Sequence, residues 1–544
     1  MTYKTPGVYV EEISTLPPSV AEVSTAVPAF FGYTEKGPAI ARINTLLEYE
    51  ELFGGAPPVR HSVKVSGDPG SWTIESITPE APVAEFLLHH SISHYFKNGG
   101  GSCYVASTGD YSSPPSKSAF EDALSRLETE DEPTLLVLTD ATLLESTDYY
   151  DLCVQALQQC HKLGDRFAVL DVKDGDVDGF RNLVGTEHLM YAAAYHPYLE
   201  TTLNHRWVEN DVSIWVPAVG SEVPGAWQYI SNADGILVER ETGDAPTVKI
   251  VAGNGSYNIA FVIDGQNLTI TNVSGRTGLQ VAAEWQGWIG ESANNAEGFA
   301  VSIVGTGTAQ VAHTSSSNKS LEPYQVQNLE VLKDSHTGLY NQIKAALGSE
   351  RVILPPSAAM AGVYSSVDRD RGVWKAPANV SLSSVIGPVT KITHDEQERL
   401  NIDPAGGKSI NALRAFSGKG TLVWGARTLA GNDNEWRYVS VRRLFNMIEE
   451  SCRKATSFAV FEPNDMTTWL KVKGMIEGYL YTLWEKGALA GSTPETAYYV
   501  HVGLGKTMTA QDVLEGRMHV EIGIAAVRPA EFIVLRFSHK LQEA

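Results

Sequence analysis

Apolar and polar residues alternate in blocks over residues 25–205, and these blocks predict alternating strands and helices. Leu135–Leu138 and Phe167–Asp171 are short, nearly continuous apolar runs, which are typical of strands that are buried on both faces. Val83–Lys97 and Asp148–Leu163 show the periodicity of amphipathic helices. Strands that alternate with helices at this spacing predict a doubly wound, mostly parallel α/β sheet.

The pattern changes after residue 205. Residues 206–325 are rich in Gly, Asn, Ser, Thr and Val, and short apolar runs such as Thr247–Val251 are separated by turn signals such as Asp264-Gly265. This composition predicts an inserted all-β module at the surface. A helix over Val326–Leu347 and a strand over Val352–Leu354 are then expected to resume the α/β pattern.

The C-terminal third predicts an α+β region. Val439–Lys454 and Met466–Gly487 each place apolar residues on one helical stripe. Two alternating segments follow, Met518–Ala525 and Glu531–Phe537, and both are predicted to be strands.

The first 24 residues do not have the pattern of a domain. Gly7–Ile13 has the β-branched and aromatic residues of a strand. Pro17 and Pro18 follow, and they can continue neither a helix nor a sheet ladder. The segment therefore predicts a single strand on a proline-containing leader, with no partner strand nearby in the sequence.

Composition and charge narrow the possible functions. The 544 residues are 43% hydrophobic and 19% charged, which suits several ordinary folded domains. The net charge of −22 argues against binding to nucleic acid or to an anionic membrane, because both need clustered Lys and Arg. Residues 369–456 are an exception, with 14 basic and 9 acidic residues, and this local excess of +5 would suit an acidic partner.

The lack of a recognisable signal-peptide pattern and the small number of cysteines lead us to expect synthesis in a reducing cytoplasm. The N-terminus has no apolar signal-peptide core, and no run approaches the roughly 18 apolar residues of a membrane helix. We therefore expect no direct insertion into a membrane. The four cysteines are few and widely spaced, so we expect reduced, buried thiols.

Gly503–Thr507 reads GLGKT and resembles the end of a phosphate-binding loop. Such a loop needs a further glycine six positions before the lysine, so that successive backbone N–H groups converge on one phosphate. Val500 occupies that position before Lys506, and in a second similar segment, Gly407–Ser409, the position falls on Ile402. We therefore interpret Gly503–Thr507 as a turn after a strand.

No other motif has the pattern of a catalytic or metal site. His90 and His94 share a predicted helix face, but the residues between them lack the glutamate of a zinc-protease motif. No G-x-S-x-G turn or recognisable triad pattern occurs. The alternating charges of Asp368–Arg371 suit a solvated helix end or an intersubunit ion-pair patch. We expect no enzyme activity, cofactor or metal, and we expect four tryptophans to anchor cores and interfaces: Trp374, Trp424, Trp436 and Trp484.

Six segments are similar to contractile phage tail sheath proteins. They are PGVYVEE at 6–12, VPAFFG at 27–32, DRGVWKAPAN at 370–379, VWGARTL at 423–429, RYVSVRRL at 437–444 and RPAEFI at 528–533. Their order and spacing cover both ends and most of the C-terminal third. Residues 206–325 have no counterpart in this pattern, as expected where such proteins vary.

The resemblance implies a sheath subunit of a contractile injection machine. Such subunits polymerise as helical stacks of rings around a rigid inner tube, and they contract to drive the tube through a target envelope. The implied partners are further copies of the chain, the inner tube protein, and baseplate and terminal cap proteins. One chain carries both ends of the pattern, which favours a phage tail, a tailocin or an extracellular injection system over the type VI sheath, which is split between two proteins. Assembly is expected in the bacterial cytoplasm.

These inferences together predict α/β plus α+β architecture with extended strand arms. The expected parts are an N-terminal arm at 1–24, an α/β domain at 25–205 and 326–375 that the resemblance implies is subtilisin-like, a β-rich surface insert at 206–325, a C-terminal domain facing the inner tube at 376–517, and a C-terminal arm at 518–544.

An unpaired strand at each end is what strand exchange between subunits requires. The predicted arm strands contain Val8, Tyr9, Val10, Glu11, Glu12 and Ile13 near the N-terminus, and Phe532, Ile533, Val534 and Leu535 near the C-terminus. Lys471 and Lys473 are the candidate tube-facing residues, because of the local positive charge and the inward placement that the resemblance implies.

Two other classes stay open at this point. A tube, baseplate or capsid component would be a structural protein without contraction, and its subunits should be smaller and lack both arms. An α/β hydrolase or nucleotide enzyme would turn over ester substrates or ATP.

Overall fold

The computed structural model describes residues 20–67, 72–79, 86–217, 226–232, 235–240, 245–254, 257–290, 294–304, 307–314 and 317–533. The chain divides into two compact units. Unit 1 comprises residues 1–55, 86–202 and 353–544, and unit 2 comprises residues 56–85 and 203–352. The predicted arm residues Val8–Ile13, Val534 and Leu535 lie outside the described ranges.

The strands of the described ranges are numbered in chain order. They are β1 Pro28–Thr34, β2 Ile40–Ile43, β3 His61–Ser66, β4 Thr73–Pro79, β5 Cys103–Asp110, β6 Leu135–Val137, β7 Phe167–Asp171, β8 Ala192–His196, β9 Leu199–Asn204, β10 Val212–Pro217, β11 Ala226–Ile230, β12 Ile236–Arg240, β13 Thr247–Val251, β14 Ala260–Asp264, β15 Asn267–Thr271, β16 Phe299–Ile303, β17 Lys319–Ser320, β18 Glu322–Asn328, β19 Arg351–Leu354, β20 Val385–Pro388, β21 Ile410–Phe416, β22 Gly420–Val423, β23 Tyr498–Val502 and β24 Val520–Ile524.

The α-helices are numbered in the same way. They are α1 Leu46–Phe53, α2 Leu88–Lys97, α3 Lys117–Leu127, α4 Ser146–Leu163, α5 Val177–Leu183, α6 Gly278–Gly290, α7 Leu329–Ser335, α8 Thr337–Leu347, α9 Ser357–Arg371, α10 His394–Asn401, α11 Val439–Ala455, α12 Met466–Glu485, α13 Pro494–Ala497 and α14 Ala510–Leu514.

Unit 1 is built on an eight-stranded sheet with the order β2-β5-β1-β6-β7-β8-β21-β22. The six inner strands are parallel, and β2 and β22 are antiparallel to their neighbours. The strand order reverses after β5, while α2 packs with α9 and α3 packs with α4. Two helix layers therefore flank the sheet, and the predicted mostly parallel α/β sheet is confirmed.

Two buried aspartates follow the carboxyl ends of central strands and fix the helices nearby. Asp140 accepts the N–H groups of Tyr33 at 2.8 Å and Leu87 at 2.7 Å. Asp171 accepts one hydrogen bond from the backbone N–H of Ser357, at 2.8 Å, and another from the Ser357 hydroxyl. Burial raises the pKa of both carboxyls to about 7, although the N–H donors act in the opposite direction. The contact at Leu87 explains why α2 begins at Leu88, whereas the sequence predicted a start at Val83.

The C-terminal part of unit 1 has a core of its own. The apolar stripe of α12, including Val472, Ile476 and Leu480, packs with Leu444 and Ile448 of α11 in one cluster. The antiparallel pair β23–β24 lies against α12 and extends the same cluster. The predicted helices and the strand at 518–525 are therefore present here.

Unit 2 contains a seven-stranded sheet, β16-β12-β11-β18-β10-β3-β4, and a four-stranded sheet, β14-β15-β13-β17. It has two apolar clusters. Residues from Ile236 to Leu321 form one, and β3, β10, α7 and α8 form the other. The predicted Asp264-Gly265 turn is present between β14 and β15, where Gly265 has a φ of 57°.

Several predicted elements differ from the observed ones. The insert is not all-β, because α6 spans Gly278–Gly290 and buries Val281 and Trp285, four residues apart. A single helix was predicted over Val326–Leu347, but residues up to Asn328 belong to β18, which pairs with β10. The remaining residues form two helices, α7 and α8, which are separated at His336. Residues 531–533 are not in a strand.

The observed units also divide the chain differently from the predicted domains. The hairpin β3–β4 and residues 326–352 belong to unit 2, although the sequence placed them with the α/β sheet. Strand β21 pairs with β8 in the main sheet, although it lies beyond the predicted boundary at residue 376. The physical reason is that sheet pairing joins segments that are far apart in sequence, which a scan along the chain does not reveal.

Candidate assembly surfaces

The pair β23–β24 is the smallest sheet of unit 1. Tyr498 lies opposite Ile524 and Val502 opposite Val520. Within the described ranges, no third strand is hydrogen-bonded to either edge of the pair. Two strands alone are marginally stable, and an open edge presents unpaired N–H and C=O groups to another chain. This sheet can therefore accept further strands.

An apolar groove of about 850 Å³ lies beside this sheet. Its lining includes Val520 and Ile522 of β24, Val472 of α12, and Val460 and Phe461 of the loop between α11 and α12. Phe461 is fully exposed, at 104%, and has a φ of 69°, a value that is strained for an aromatic residue. Apolar side chains thus lie next to a sheet that has open edges, and these are the two components of strand recognition.

The outer face of α12 carries the first candidate lysine. Lys471 is exposed, whereas Lys473 is half-buried and pairs with Glu477 at 3.4 Å. Residues two apart do not share a helix face, so these two lysines cannot act as one patch. Gly474 and Gly478 are also exposed, and a Cβ at either position would meet nothing within 4 Å.

The local excess of positive charge at 369–456 does not form one free basic face. Many of its basic side chains pair with carboxylates inside unit 1, and these include Arg427, Arg442, Arg443, Arg453 and Lys454. Of the alternating charges at 368–371, Asp368 is buried in an ion pair, and Arg369 and Asp370 are exposed. Only the outer part of this segment has the character of a solvated helix end.

The segment that leads to the predicted N-terminal arm lies along α11. The N–H of Val23 donates to the Ser451 hydroxyl at 3.1 Å, and the carbonyl of Thr25 accepts from Arg443 at 2.9 Å. Glu22 and Lys486 form an exposed ion pair at 2.7 Å. Val23 also packs against the C-terminal core. Residues 20–25 therefore have a fixed position in unit 1.

The segment that leads to the predicted C-terminal arm is held at Glu531. Its carboxylate accepts from Arg427, whose Nη2 lies 2.6 Å from Oε2. Phe532 and Ile533 follow, with 70% and 79% of their surface exposed. They line a groove of about 730 Å³ together with Trp424 and other residues. An apolar pair at the surface, next to a fixed carboxylate, suits a segment that continues to another molecule.

Neither phosphate-loop resemblance is a phosphate site. After β23, the Thr507 hydroxyl accepts from the N–H of Gly503 at 3.2 Å and donates to the carbonyl of His519 at 2.7 Å, so the turn is closed by its own groups. In the second segment, Asp403 accepts the N–H groups of Ala405, Gly406 and Lys408. The Asp403 carboxylate therefore takes the N–H groups that a phosphate-binding loop would offer to a phosphate. The interpretation of Gly503–Thr507 as a turn is confirmed.

Ser357, Asp171 and His94 are of the residue types that hydrolases use, but all three are buried in packing contacts. Ser357 and Asp171 are bonded to each other and have at most 1% of their surface exposed, so substrate has no access to them. His94 donates from Nε2 to the carbonyl of Ser383 at 3.1 Å, and burial lowers its pKa to about 4. In the described part of the chain, no three His, Cys, Asp or Glu residues are grouped to hold a metal.

Further sequence predictions concern buried groups. All four cysteines are unpaired and buried, as predicted. Trp374 and Trp484 both pack against the cluster formed by α11 and α12, and Trp424 and Trp436 lie in separate aromatic contacts. Trp436 packs against Phe445 and Trp424 against Phe416, while Trp484 donates to the carbonyl of Gly491. None of the helices that the structure describes is both long enough and apolar enough to span a membrane.

We call residues 20–25 and the segment around Glu531 the arm roots, because they lead to the two predicted arms. The residues that hold them were not identified from the sequence. Arg427 and Glu531 are 104 positions apart, and Arg443 and Asp368 are 75 apart. In the sequence, Arg427, Arg443 and Glu531 each lie inside an apolar segment that carries the family resemblance. Such a charge is expected to have a buried partner, but its identity depends on the tertiary fold.

Comparisons with known proteins agree with this geometry. The family model of the phage tail sheath C-terminal domain matches residues 431–540. The tail sheath protein of Vibrio phage KVP40 is 25% identical over 185 residues, which cover 34% of this chain and 26% of the relative. A putative prophage major tail sheath protein of Pseudomonas aeruginosa is 24% identical over 180 residues, which cover 32% of this chain and 44% of the relative. The aligned segments thus span less than half of these relatives.

Two solved structures are similar over almost the whole chain. The PVC sheath complex of an extracellular contractile injection system, in its contracted state, is 28% identical, with a TM-score of 0.54 and coverage of 99% of both chains. The helical sheath of the anti-feeding prophage, also contracted, is 27% identical, with a TM-score of 0.54 and coverage of 99% of this chain and 100% of that one. The chain is therefore homologous to contractile sheath proteins, and the predicted resemblance is confirmed.

Proposed function

We propose that the chain is a structural subunit of a contractile sheath, which polymerises around an inner tube and contracts to drive that tube through a target envelope. The observation that carries the proposal is the similarity over 99% of the chain to sheath proteins solved in the contracted state. The particle would be a phage tail or an extracellular injection device. A similar chain solved in a baseplate, at 27% identity, supports the baseplate as a partner.

Strand exchange is the assembly mechanism that the open sheet supports best. The pair β23–β24 would receive the strand at Val8–Ile13 from one neighbouring copy and the strand at Phe532–Leu535 from another. The apolar groove beside β24 would take alternate side chains of a donated strand. A backbone ladder of this kind survives rotation of the bodies that it links, because the leaders absorb the motion.

Contraction would then be a rigid-body rearrangement of subunits. Its free energy would come from additional surface buried between copies, at about 25 cal/mol for each Å² of apolar area. No nucleotide would be needed, which is consistent with the two closed loops at Gly503–Thr507 and Gly407–Ser409.

The outer face of α12 would contact the inner tube. Lys471 is the better of the two candidate lysines, because Lys473 already pairs with Glu477. Exposed glycines at 474 and 478 would let another backbone approach this face closely. The subtilisin-like character of the main sheet and the surface position of the insert are further parts of the proposal.

Co-assembly with an inner tube protein tests the proposed function. We expect negative-stain images to show sheathed tubes with two distinct lengths, extended and contracted. Filaments of one fixed length would favour the alternative of a structural tail component without contraction. Turnover of ATP or ester substrates by the purified chain would revive the enzyme alternative.

A further inference from the structure

Helix α11 holds the chain on the N-terminal side of unit 1 at two points. Ser451 accepts the N–H of Val23 at 3.1 Å, and Arg443 donates to the carbonyl of Thr25 at 2.9 Å. Arg443 and Ser451 are eight residues apart, which is about 12 Å along a helix axis. The segment from Val23 to Thr25 therefore runs beside α11 in the opposite direction.

The contact at Arg443 belongs to a buried group that we call the N-clasp, comprising Arg443, Asp368 and Thr25. The Arg443 and Asp368 side chains are 3% and 7% exposed, and Nη1 lies 3.0 Å from Oδ1. The Thr25 hydroxyl donates to the same carboxylate, and the guanidinium lies 4.5 Å from the Tyr364 ring centroid. A buried ion pair with its hydrogen bonds satisfied is costly to break, so the N-clasp fixes where the chain passes.

The C-terminal side is held by a second group, the C-clasp, comprising Glu531, Arg427, Asn401 and Tyr438. Arg427 donates from Nε at 2.9 Å and from Nη2 at 2.6 Å, Asn401 donates at 3.1 Å, and the Tyr438 hydroxyl donates at 3.2 Å. Burial would raise the pKa of Glu531, but these donors hold it below its usual value. The carboxylate is therefore charged and fixed at neutral pH.

The C-clasp is also joined to α11 and to the main sheet. Tyr438 is the N-cap residue of α11 and directly precedes Val439, the first residue of the helix. The Asn411 side chain of β21 accepts from the N–H of Arg427 and donates to its carbonyl, at 2.8 Å each. Asn411 also donates to the carbonyl of Ala194 in β8. Tyr438 and Arg443 are five residues apart, about 7.5 Å along the helix.

We propose that α11 is the strut that connects the two arm roots, so that a pull on one arm passes through the N-clasp, α11 and the C-clasp to the other arm. This inference rests on the proposed sheath function and names the residues that position its arms. Force would then run from copy to copy through one helix of each subunit. The loss of a clasp should break contracting sheaths before it affects the fold.

Glu531→Gln tests the strut, with Glu50→Gln as the matched control. The substitution at 531 keeps the side-chain shape and removes the charge that four donors hold. Glu50 is an exposed glutamate on α1, away from the proposed assembly surfaces, and it accepts one bond from His89 Nε2 at 3.2 Å. Both variants are made in the full chain and assembled with the tube protein, and contraction is then triggered by mild denaturant.

We expect Glu531→Gln to form extended sheaths that fragment during contraction. Breaks per unit length should rise about tenfold over Glu50→Gln, the factor that corresponds to the loss of one hydrogen bond to a charged group. Equal fragment lengths for the two variants would overturn the strut. If the wild-type chain forms no sheath at all, it is the proposed function that fails.

A milder variant keeps the test decisive if Glu531→Gln does not fold. Tyr438→Phe removes only the hydroxyl that lies 3.2 Å from Glu531 and keeps the ring. We expect a melting temperature equal to that of the wild type and sheaths that break more often than those of Glu50→Gln. Wild-type sheath continuity in Tyr438→Phe, in a folded protein, would contradict the proposal.

Discussion

The largest and the smallest sheet of unit 1 differ in how their edge strands are covered. The eight-stranded sheet ends at β22, where the segment at 379–382 covers the outer edge: Leu382 donates to Thr421 at 2.9 Å, and Val423 donates to Val380 at 3.0 Å. Its other edge strand, β2, has only four residues. The pair β23–β24 has no such segment along its outer edges in the described ranges, although residues 488–490 pair with 525–527 beyond the end of β24. The β22 edge of the large sheet is therefore covered, whereas the outer edges of the small sheet are available to another chain.

Because of this difference, we expect the large sheet to determine folding and the small sheet to determine assembly. The large sheet carries the main apolar core, with residues such as Phe30, Val137 and Tyr364 completely buried. The small sheet adds mostly half-buried side chains to the core formed by α11 and α12. Changes at the large sheet should therefore alter the stability of the monomer, whereas changes at the small sheet or in its donated strands should alter polymerisation.

The largest effect is expected from Val10→Pro in the predicted N-terminal arm. Proline removes one backbone donor from the strand, so a ladder with β23–β24 of another copy should not form. Tube formation should be lost in co-assembly assays, while the unfolding free energy of the monomer should change by less than about 1 kcal/mol. Glu12→Ala is the control and should assemble normally. Unfolding of the Val10→Pro monomer would mean that the strand pairs within its own chain.

A change in pH should act on the large sheet through His94 of α2. Burial holds the pKa of His94 near 4, so the unfolded chain takes up a proton near pH 6.5 and the folded chain does not. The unfolding free energy should fall by up to about 3 kcal/mol between pH 6.5 and pH 4 from this group alone. Urea unfolding at several pH values measures the effect.

The control for this pH dependence is His94→Gln, which can still donate to the Ser383 carbonyl. Asp140 and Asp171 shift stability in the opposite direction, but they are present in both proteins. The difference between the two unfolding curves therefore isolates His94. Parallel pH profiles for wild type and His94→Gln would show that the histidine is not held neutral.

A smaller effect is expected from Gly474→Ala and Gly478→Ala on α12. A Cβ at either position meets open space, so each substitution should stabilise the monomer by up to about 1 kcal/mol through helix propensity. If this face contacts the inner tube, the same substitutions should weaken tube binding. Gly287→Ala, at an exposed position inside α6 where a Cβ also meets nothing within 4 Å, is a control for general effects of added methyl groups. A gain in stability with unchanged tube binding would remove this face from the contact.

The smallest effect on assembly is expected from removing part of unit 2. Pro217 of β10 and Tyr324 of β18 are antiparallel partners, so a short Asn-Gly turn can replace residues 218–323. The excised part contains the complete apolar cluster from Ile236 to Leu321. Sheath formation should persist. A soluble, folded deletion variant that forms no tubes would place this module in the lattice.

Local patterns in the sequence predicted the elements whose environment is simple. Strand β7 has the predicted bounds, because a continuous apolar run suits a strand covered on both faces. Helix α12 was predicted from its long apolar stripe. In contrast, α6 was missed because Val281 and Trp285 supply only a short apolar periodicity within a polar, turn-rich segment.

The assembly surfaces could be predicted only in part. The sequence indicated unpaired strands near both ends and a basic C-terminal region, but the charges of that region depend on long-range pairing. Arg427, for example, is bonded to a carboxylate that lies 104 residues away. Lys471 and Lys473 stay predicted tube-facing residues, but helix geometry places them on different faces of α12, which was not considered in the sequence-based prediction. The exposed groove at Phe461 gave no signal before the fold was known.

The most direct test of strand exchange is a disulfide between copies. One tagged variant carries Glu11→Cys and a differently tagged one carries Glu521→Cys on β24, and the four native cysteines are buried. The two variants are mixed, assembled with the tube protein and oxidised. The account predicts a mixed-tag dimer on a non-reducing gel from assembled sheaths and none from monomers. Fully assembled sheaths without this dimer, over a set of neighbouring cysteine positions, would contradict the claim that copies complete the open sheet of one another.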